Sequence, residues 1–258
     1  MTASSSGEGR AQPRRGRWLI VLGVVLVVIA ALAVAAELIA RQVVPDTVRS
    51  TVVEQLGLPA EQPMEVEVDG ILVPQLIAGV LTDVRIASDD VTVGSFSGDV
   101  TAHAEGVPIR GGAAEGGTAE VRMSTEQLRS LLATIDGFPA ESIELEGPNV
   151  TASTEVDLLG ATIPLGLVLA PSAAGGDLLL APVEGTVGEV TVTADQLRQQ
   201  LGGLLEPLLQ ERSVCIASSL PAALTLQSIE VVDDELVAGF AIDGGIISDP
   251  ALQANGSC

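Results

Sequence analysis

The strongest constraint in this chain is an apolar/polar alternation that recurs from residue 64 to residue 242. Met64, Val66 and Val68 alternate with Glu65, Glu67 and Asp69. Val84 and Ile86 alternate with Asp83 and Arg85, and Val100, Ala102 and Ala104 with Thr101, His103 and Glu105. The pattern returns at Ile143 and Leu145, over Val150–Leu158 and Ile163–Leu169, at Ile229 and Val231, and over Leu236–Ile242. Successive side chains of a strand point to opposite faces, so a period of two means half-buried, mainly antiparallel strands with one wet face. Glycine-rich stretches such as "RGGAAEGG" and "SAAGGD" read as the turns between them.

Short helical stretches interrupt the strands. "AEVRMSTEQLRSLL" (Ala119–Leu132) and "GEVTVTADQLRQQL" (Gly188–Leu201) align at an offset of 69 residues. Each runs from an alternating strand through a small polar residue into an acid and then Gln-Leu-Arg. Ser124 and Thr193 suit N-caps, while Glu126 and Asp195 fall in the first turn, where a carboxylate meets the positive helix end. The second stretch continues through Leu197, Leu201, Leu204, Leu205 and Leu208, a wide apolar stripe that Pro207 limits or kinks. A degenerate third copy reads as a strand at Met64–Asp69, a helix at Leu72–Ala78 and a strand at Asp83–Ala87. The echo means either an internal repeat or capping chemistry shared by unrelated strand-to-helix junctions. The expected class is α+β, a curved, mainly antiparallel sheet packed on amphipathic helices and preceded by one transmembrane helix.

That preceding helix is Trp18–Ala36, "WLIVLGVVLVVIAALAVAA", nineteen residues without a charge. At ~1.5 Å per residue it spans roughly 28 Å, about one hydrocarbon core. Arg10, Arg14, Arg15 and Arg17 precede it and Glu37 follows, which sets the N-terminus in the cytoplasm. The expected organisation is a disordered cytoplasmic tail over 1–17, an anchor over 18–37 and an extracytoplasmic domain over 38–258, on the periplasmic or cell-wall side of a single-pass protein. A cleaved signal peptide is the competing reading, because "AVA" at 33–35 resembles a processing site. Beyond the span, "PDTVRSTVVEQLG" (Pro45–Gly57) reads as a further helix with a Val48, Val52, Leu56 stripe. Pro45 fits its start or a kink, and Gly57 its C-cap.

Acids number 34 against 12 Arg, with no Lys, for a net charge of −22. Such a surface repels nucleic acid, which is excluded as a partner. The two cysteines, Cys215 and Cys258, both follow the apolar span, and an oxidising compartment makes a disulfide between them the expectation. Catalytic chemistry is sparse. His103, the one histidine, lies in the polar phase of its strand and reads as a solvated surface residue. "GSFSG" (Gly94–Gly98) has Phe96 where a nucleophile elbow needs serine and reads as a strand turn. Asp89-Asp90 and Asp233-Asp234 fall where turns are expected and lack calcium-loop spacing. No dinucleotide or phosphate-loop fingerprint is present. The expectation is a protein that is not an enzyme, with no cofactor and no metal.

What remains is aliphatic surface. Long strands facing amphipathic helices, with few rings between them, suit a continuous apolar slot for acyl chains. "DGILVPQLIAGVLTDVRIASDDVTVG" resembles the signature of the LmeA-type phospholipid-binding family of actinobacterial cell envelopes. A strand and a Gly lead into an apolar run to Gln-Leu; a second Gly and Asp-x-Val follow. Here these are Gly70, Gln75, Leu76, Gly79, Asp83 and Val84. "CIASSLP" (Cys215–Pro221) and the terminal Cys258 are also similar to many members, and the lack of Lys fits an actinobacterial source. Members often carry an aromatic just after the first Gly, where this chain has Ile71-Leu72.

The resemblance implies a non-catalytic extracytoplasmic protein that binds phospholipid, phosphatidylinositol included. It also implies a fold similar to tubular lipid-binding domains and a role in maturing mannosylated lipoglycans, with envelope glycosyltransferases as partners. Under it, Leu72, Leu76, Ile77, Leu128, Leu131, Leu132, Leu197, Leu201 and Leu204 are expected to line the slot. Arg85, Arg122, Arg129 and Arg198 are the candidates for the lipid phosphate, since a guanidinium fork holds a phosphate in two hydrogen bonds. The alternative is a membrane-anchored scaffold that binds another envelope protein, with a filled core and no lipid.

Overall fold

The computed structural model describes residues 15–56, 58–93, 96–133, 140–158, 161–187, 190–194, 196 and 212–258. Its class is α+β, with an N-terminal apolar helix followed by antiparallel sheets. Helix α1 (Arg15–Leu56) is continuous for 42 residues. Of the two readings of Pro45, a helix start or a kink, the start is not the one found: proline stands inside the helix, where it removes one backbone donor. Two parts of α1 differ in their surroundings. From Leu22 to Ala36 every side chain is exposed, whereas Glu37, Ala40, Val44, Val48, Arg49, Val52 and Val53 are at least half covered.

The strands form two sheets rather than one. The first runs in the order β1 (Glu65–Val68), β2 (Val80–Val93), β3 (Phe96–Pro108), β4 (Gly116–Ser124), β12 (Glu235–Ile242), β11 (Leu224–Val232). The second runs β10 (Arg212–Val214), β8 (Asp177–Val187), β7 (Ala161–Ala174), β6 (Asn149–Leu158), β5 (Ile143–Glu146), with β9 (Val190–Thr193) also paired to β8. The first sheet's register explains its apolar face. Ile86 stands opposite Ala102, Ala102 opposite Ala119, and Ala119 opposite Phe240, so one alternating phase makes a continuous row across four strands. The opposite phase carries Asp83, Arg85, His103, Glu105, Glu120 and Arg122.

Two clusters cover that apolar face. At the β1–β2–β3 side, Ala40 of α1 packs with Val68, Leu72, Leu81 and Val84, and Leu72, 1% exposed, is the most deeply buried large side chain among the described residues. Full burial of a leucine stabilises by roughly 1.5–3 kcal/mol, so this contact fixes the α1–sheet joint. At the other side Met123, Ile143, Leu145, Val231 and Leu236 close around Leu128 of α3 (Thr125–Leu132), and the second sheet meets the first along β11, chiefly through β7 and also through β5, β6 and β8.

The echo in the sequence has a matching local geometry. Ser124 Oγ accepts from Gln127 N–H while the Gln127 side chain accepts from Ser124 N–H, at 3.4 and 2.9 Å. Thr193 and Gln196, 69 positions later, make the same reciprocal pair at 3.2 and 3.1 Å. Each box satisfies two of the donors that a helix start leaves open. The turn expected at Asp233-Asp234 is present between β11 and β12, with Asp233 at φ +57. Asp89-Asp90 is different: it lies within β2 at an irregularity between Ser88 and Val91, where Asp90, φ +51, donates its N–H to Asp99.

Cys215 and Cys258 are bonded, with their Cα atoms 5.8 Å apart and a sequence separation of 43. A closed loop of that size contributes on the order of 3–4 kcal/mol. It holds the final segment, including the short helix α4 (Pro250–Gln253), beside the start of β11, where Ala223 N–H bonds to Leu252 and Ala222 N–H to Ala254.

Candidate functional site

The segment from Gly70 to Val84 is held by groups whose chemistry is structural. Gly70 has φ +87, a conformation that side chains disfavour, and a Cβ there would lie 2.8 Å from Gln75 Nε2. That amide is busy: Gln75 Nε2 donates to Asp69 C=O at 2.7 Å, and Gln75 Oε1 accepts from Thr82 N–H at 2.9 Å. One buried side chain thus ties the end of β1 to the start of β2 across the helix α2 (Leu72–Ala78). Gly79, φ +81, ends α2 as a left-handed C-cap with its N–H on Gln75 C=O. Asp83 Oδ2 meets His103 Nε2 at 2.7 Å across β2 and β3. His103 is therefore a half-buried cross-strand partner, not the solvated surface residue that its position suggested.

α2 has no local N-cap side chain, since Ile71 precedes it. Glu37 of α1 takes that place. Its two carboxylate oxygens accept from Leu72 N–H and Val73 N–H, both at 3.0 Å. Arg41, one turn on, meets the same carboxylate at 3.0 Å and donates to Gly70 C=O at 2.8 Å. These bonds set α2 and the covered half of α1 at a fixed spacing above the first sheet.

The space between them is a groove of about 1030 Å³. Its wall on α1 is a stripe with a period of four: Ala36, Ala40, Val44, Val48 and Val52 on one line, Ile39, Val43, Thr47 and Thr51 on the next. α2 contributes Val73, Leu76 and Ile77. The floor is Leu81, Val84 and Ile86 of β2 with Ala104, Val107 and Pro108 of β3, and Ile109 and Ile247 stand at one end. Among the described residues, two threonine hydroxyls are the sole polar side-chain groups in this lining, and no charged residue belongs to it. Both hydroxyls are in contact with their own helix, Thr47 Oγ1 donating to Val43 C=O and Thr51 Oγ1 to Thr47 C=O. The physical cause of the open space is side-chain size: the chain has three Phe, one Trp and no Tyr, and alanines and valines are too short to bridge helix and sheet. Such a surface has no group to activate a bond, but it accepts hydrocarbon.

The residues expected from sequence fall in different places. Leu76 and Ile77 line the groove, and Leu72 lies beneath it in the α1–sheet cluster. Leu128, Leu131 and Leu132 belong to the α3 cluster between the sheets. Leu197, Leu201, Leu204 and Arg198 lie outside the described residues. Arg85 and Arg122 project from the polar phase of the first sheet, Arg85 3.8 Å from Glu67 and Arg122 2.8 Å from Glu120. Arg129 donates to Ile143 C=O at 2.7 Å. The groove takes none of these three arginines into its lining. Sequence reasoning missed the α1 wall. Its signal was the four-residue spacing that runs unbroken from Ala36 to Val52, across the boundary drawn between anchor and domain.

Among the described residues no group of three or more His, Cys, Asp or Glu could hold a metal ion. α1 is long and apolar enough over Leu22–Glu54 to cross a membrane. No curated protein and no solved structure matches the chain. A family model described as LmeA-like phospholipid-binding matches residues 35–240, an interval that begins beside the first groove residue of α1 and takes in α2 and both sheets. The chain belongs to the LmeA-like phospholipid-binding family.

Proposed function

We propose that this protein is a non-catalytic, membrane-anchored phospholipid-binding protein, and that the groove between α1 and the first sheet holds the acyl chains. One observation carries the reading: an uncharged groove of about 1030 Å³, walled by aliphatic side chains, in a chain of a phospholipid-binding family. Small-molecule sites usually measure roughly 300–1,000 Å³, so the groove has room for a lipid's hydrocarbon part. Trp18–Ala36 is the anchor, and the domain after it lies outside the cytoplasm. The arginines before the span and the Cys215–Cys258 disulfide support that orientation. The lipid is of the phosphatidylinositol type, and the protein supplies it to lipoglycan maturation, where envelope glycosyltransferases act. This finer assignment rests on the family resemblance.

The test uses the full chain in phospholipid vesicles containing phosphatidylinositol with a photoreactive acyl chain. After illumination and digestion, cross-links are expected on Ile39–Val52, β2 and β3 as well as on Trp18–Ala36, which contacts bilayer lipid in any case. Val43→Glu and Ile77→Glu place carboxylates at exposed groove positions, 54% and 76% exposed, where the fold tolerates them and hydrocarbon does not. These variants should lose the sheet cross-links and keep those on the span. Cross-links confined to the span in the unaltered protein would overturn the lipid reading in favour of a protein-binding scaffold. Equal yields from a photoreactive phosphatidylcholine would overturn the headgroup preference alone.

A further inference from the structure

Among the described residues, every exposed isoleucine outside α1 lies at one end of the first sheet: Ile71, Ile77, Ile109 and Ile247 are 64%, 76%, 45% and 44% exposed. Val80, 37% exposed, joins them. The fold brings them together from four places in the chain. Val80 opens β2 opposite Pro108, the last residue of β3. Ile109 N–H bonds to Gly79 C=O at the end of α2, and Ala114 N–H bonds to Gly244 C=O, which sets the turn of Gly244–Ile247 beside the loop after β3. The same end receives α1, since Glu37 and Arg41 bond to Leu72, Val73 and Gly70. The exposed apolar run Leu22–Ala36 leaves the domain from there.

Of the acids at this end, three have their carboxylates occupied within the protein, while Asp69, Glu105 and Glu115 are exposed on the flank of the patch. Glu37, Asp243 and Asp249 are engaged by backbone N–H groups of Leu72 and Val73, Gly245 and Ala251. Arg110 is different. Its guanidinium lies over Gly79, with Nη1 3.6 Å from where a Cβ would stand, and it makes no hydrogen bond or ion pair among the described residues. In a chain with 34 acids and 12 arginines, an arginine without a carboxylate at the mouth of an apolar groove points to a partner outside the protein.

We propose that this end docks onto the leaflet from which α1 emerges. Ile71, Ile77, Val80, Ile109 and Ile247 enter the interface, Arg110 meets lipid phosphates, and the groove opens straight into the acyl region. An exposed aliphatic patch continuous with a membrane span has one partner already at hand, the lipid surface itself. Lipid then passes between leaflet and groove without its chains crossing water. The proposal rests on the lipid-binding reading only in what the docked end opens.

Both cysteines of the chain are in the disulfide, so a single introduced cysteine can be labelled cleanly. Ile71 and Val80 do not line the groove, so a probe at Ile71→Cys reports the bilayer and not a bound lipid. Val232→Cys, on the hairpin at the opposite end of the same sheet, is the reference. The full chain, carrying an environment-sensitive fluorophore at either site, goes into phosphatidylcholine vesicles with and without a nitroxide on the acyl chain. The probe at 71 is expected to emit to the blue of the probe at 232 and to be quenched at least about two-fold more. Equal emission and equal quenching overturn docking, even if acyl cross-links to β2 and β3 are found. Strong quenching without those cross-links keeps docking and discards the groove as its purpose. Adding Arg110→Glu is expected to weaken the quenching at 71, and an unchanged value removes Arg110 from the docking surface.

Discussion

Gly70 and Gly79 flank α2 with nearly the same backbone, φ +87 and φ +81, yet they meet different neighbours. A Cβ on Gly79 would find the Arg110 guanidinium no closer than 3.6 Å, an ordinary contact. A Cβ on Gly70 would meet Gln75 Nε2 at 2.8 Å, the atom that holds Asp69 C=O. Both changes to alanine incur the left-handed penalty of roughly 1–2 kcal/mol. Gly70→Ala also displaces a buried amide and strands its two backbone partners, each worth about 1–3 kcal/mol when left unpaired. Gly70→Ala should therefore lower the thermal midpoint clearly more than Gly79→Ala, as followed by circular dichroism in a mild uncharged detergent. Gln75→Ala should produce a loss like that of Gly70→Ala. Equal midpoints for the two glycine variants would show that the Gln75 bridge contributes little. The motif residues are thus ordinary at the level of chemistry because they build the joint on which the groove stands.

At the scale of elements, α2 depends on a side chain of α1 that stands 35 residues before it. Leu72 N–H and Val73 N–H have the Glu37 carboxylate as acceptor. Glu37→Ala removes it, and amide hydrogen exchange at Leu72 and Val73 should accelerate on the order of ten-fold, while the boxed start of α3 at Gln127 stays unchanged. Unchanged exchange at Leu72 and Val73 would mean that packing alone holds α2 in place. This contrast also marks what could be read from sequence. The caps at Ser124 and Thr193 were legible because donor and acceptor lie three residues apart, and the alternating strands because each has one apolar phase. The cap of α2 was not legible, since nothing local to Ile71 points to Glu37. β8 also escaped: Leu178, Leu179 and Leu180 run without alternation, and this strand is paired to β7 on one side and to β9 and β10 on the other. Of the groove, the α2 wall at Leu76 and Ile77 was legible as an apolar stretch beside Gln75. The α1 wall was concealed because its residues read as the tail of a membrane span and then as a separate helix after Pro45.

The molecule as a whole combines an apolar axis with an acidic body. Thirty-four acids face 12 arginines, and among the described residues five arginine–carboxylate pairs lie within 4.0 Å, three of them between exposed side chains. Exposed pairs contribute about 0–1 kcal/mol each, so they cannot offset the repulsion among the remaining carboxylates. That repulsion acts over distances that salt shortens, from a Debye length of roughly 30 Å at 0.01 M to about 8 Å at 0.15 M. The thermal midpoint of the full chain in an uncharged detergent should therefore rise across that range of sodium chloride, most steeply at its dilute end. A midpoint that falls instead would mean that attractive pairs dominate the surface. The same excess of charge sets orientation on a membrane. Faces rich in Asp and Glu are held off an anionic leaflet, which leaves the isoleucine-lined end as the side that can approach it. Salt should then lower probe quenching at Ile71→Cys in phosphatidylcholine vesicles by no more than Arg110→Glu does, because the apolar contacts are insensitive to screening, while the stability of the acidic body responds to it.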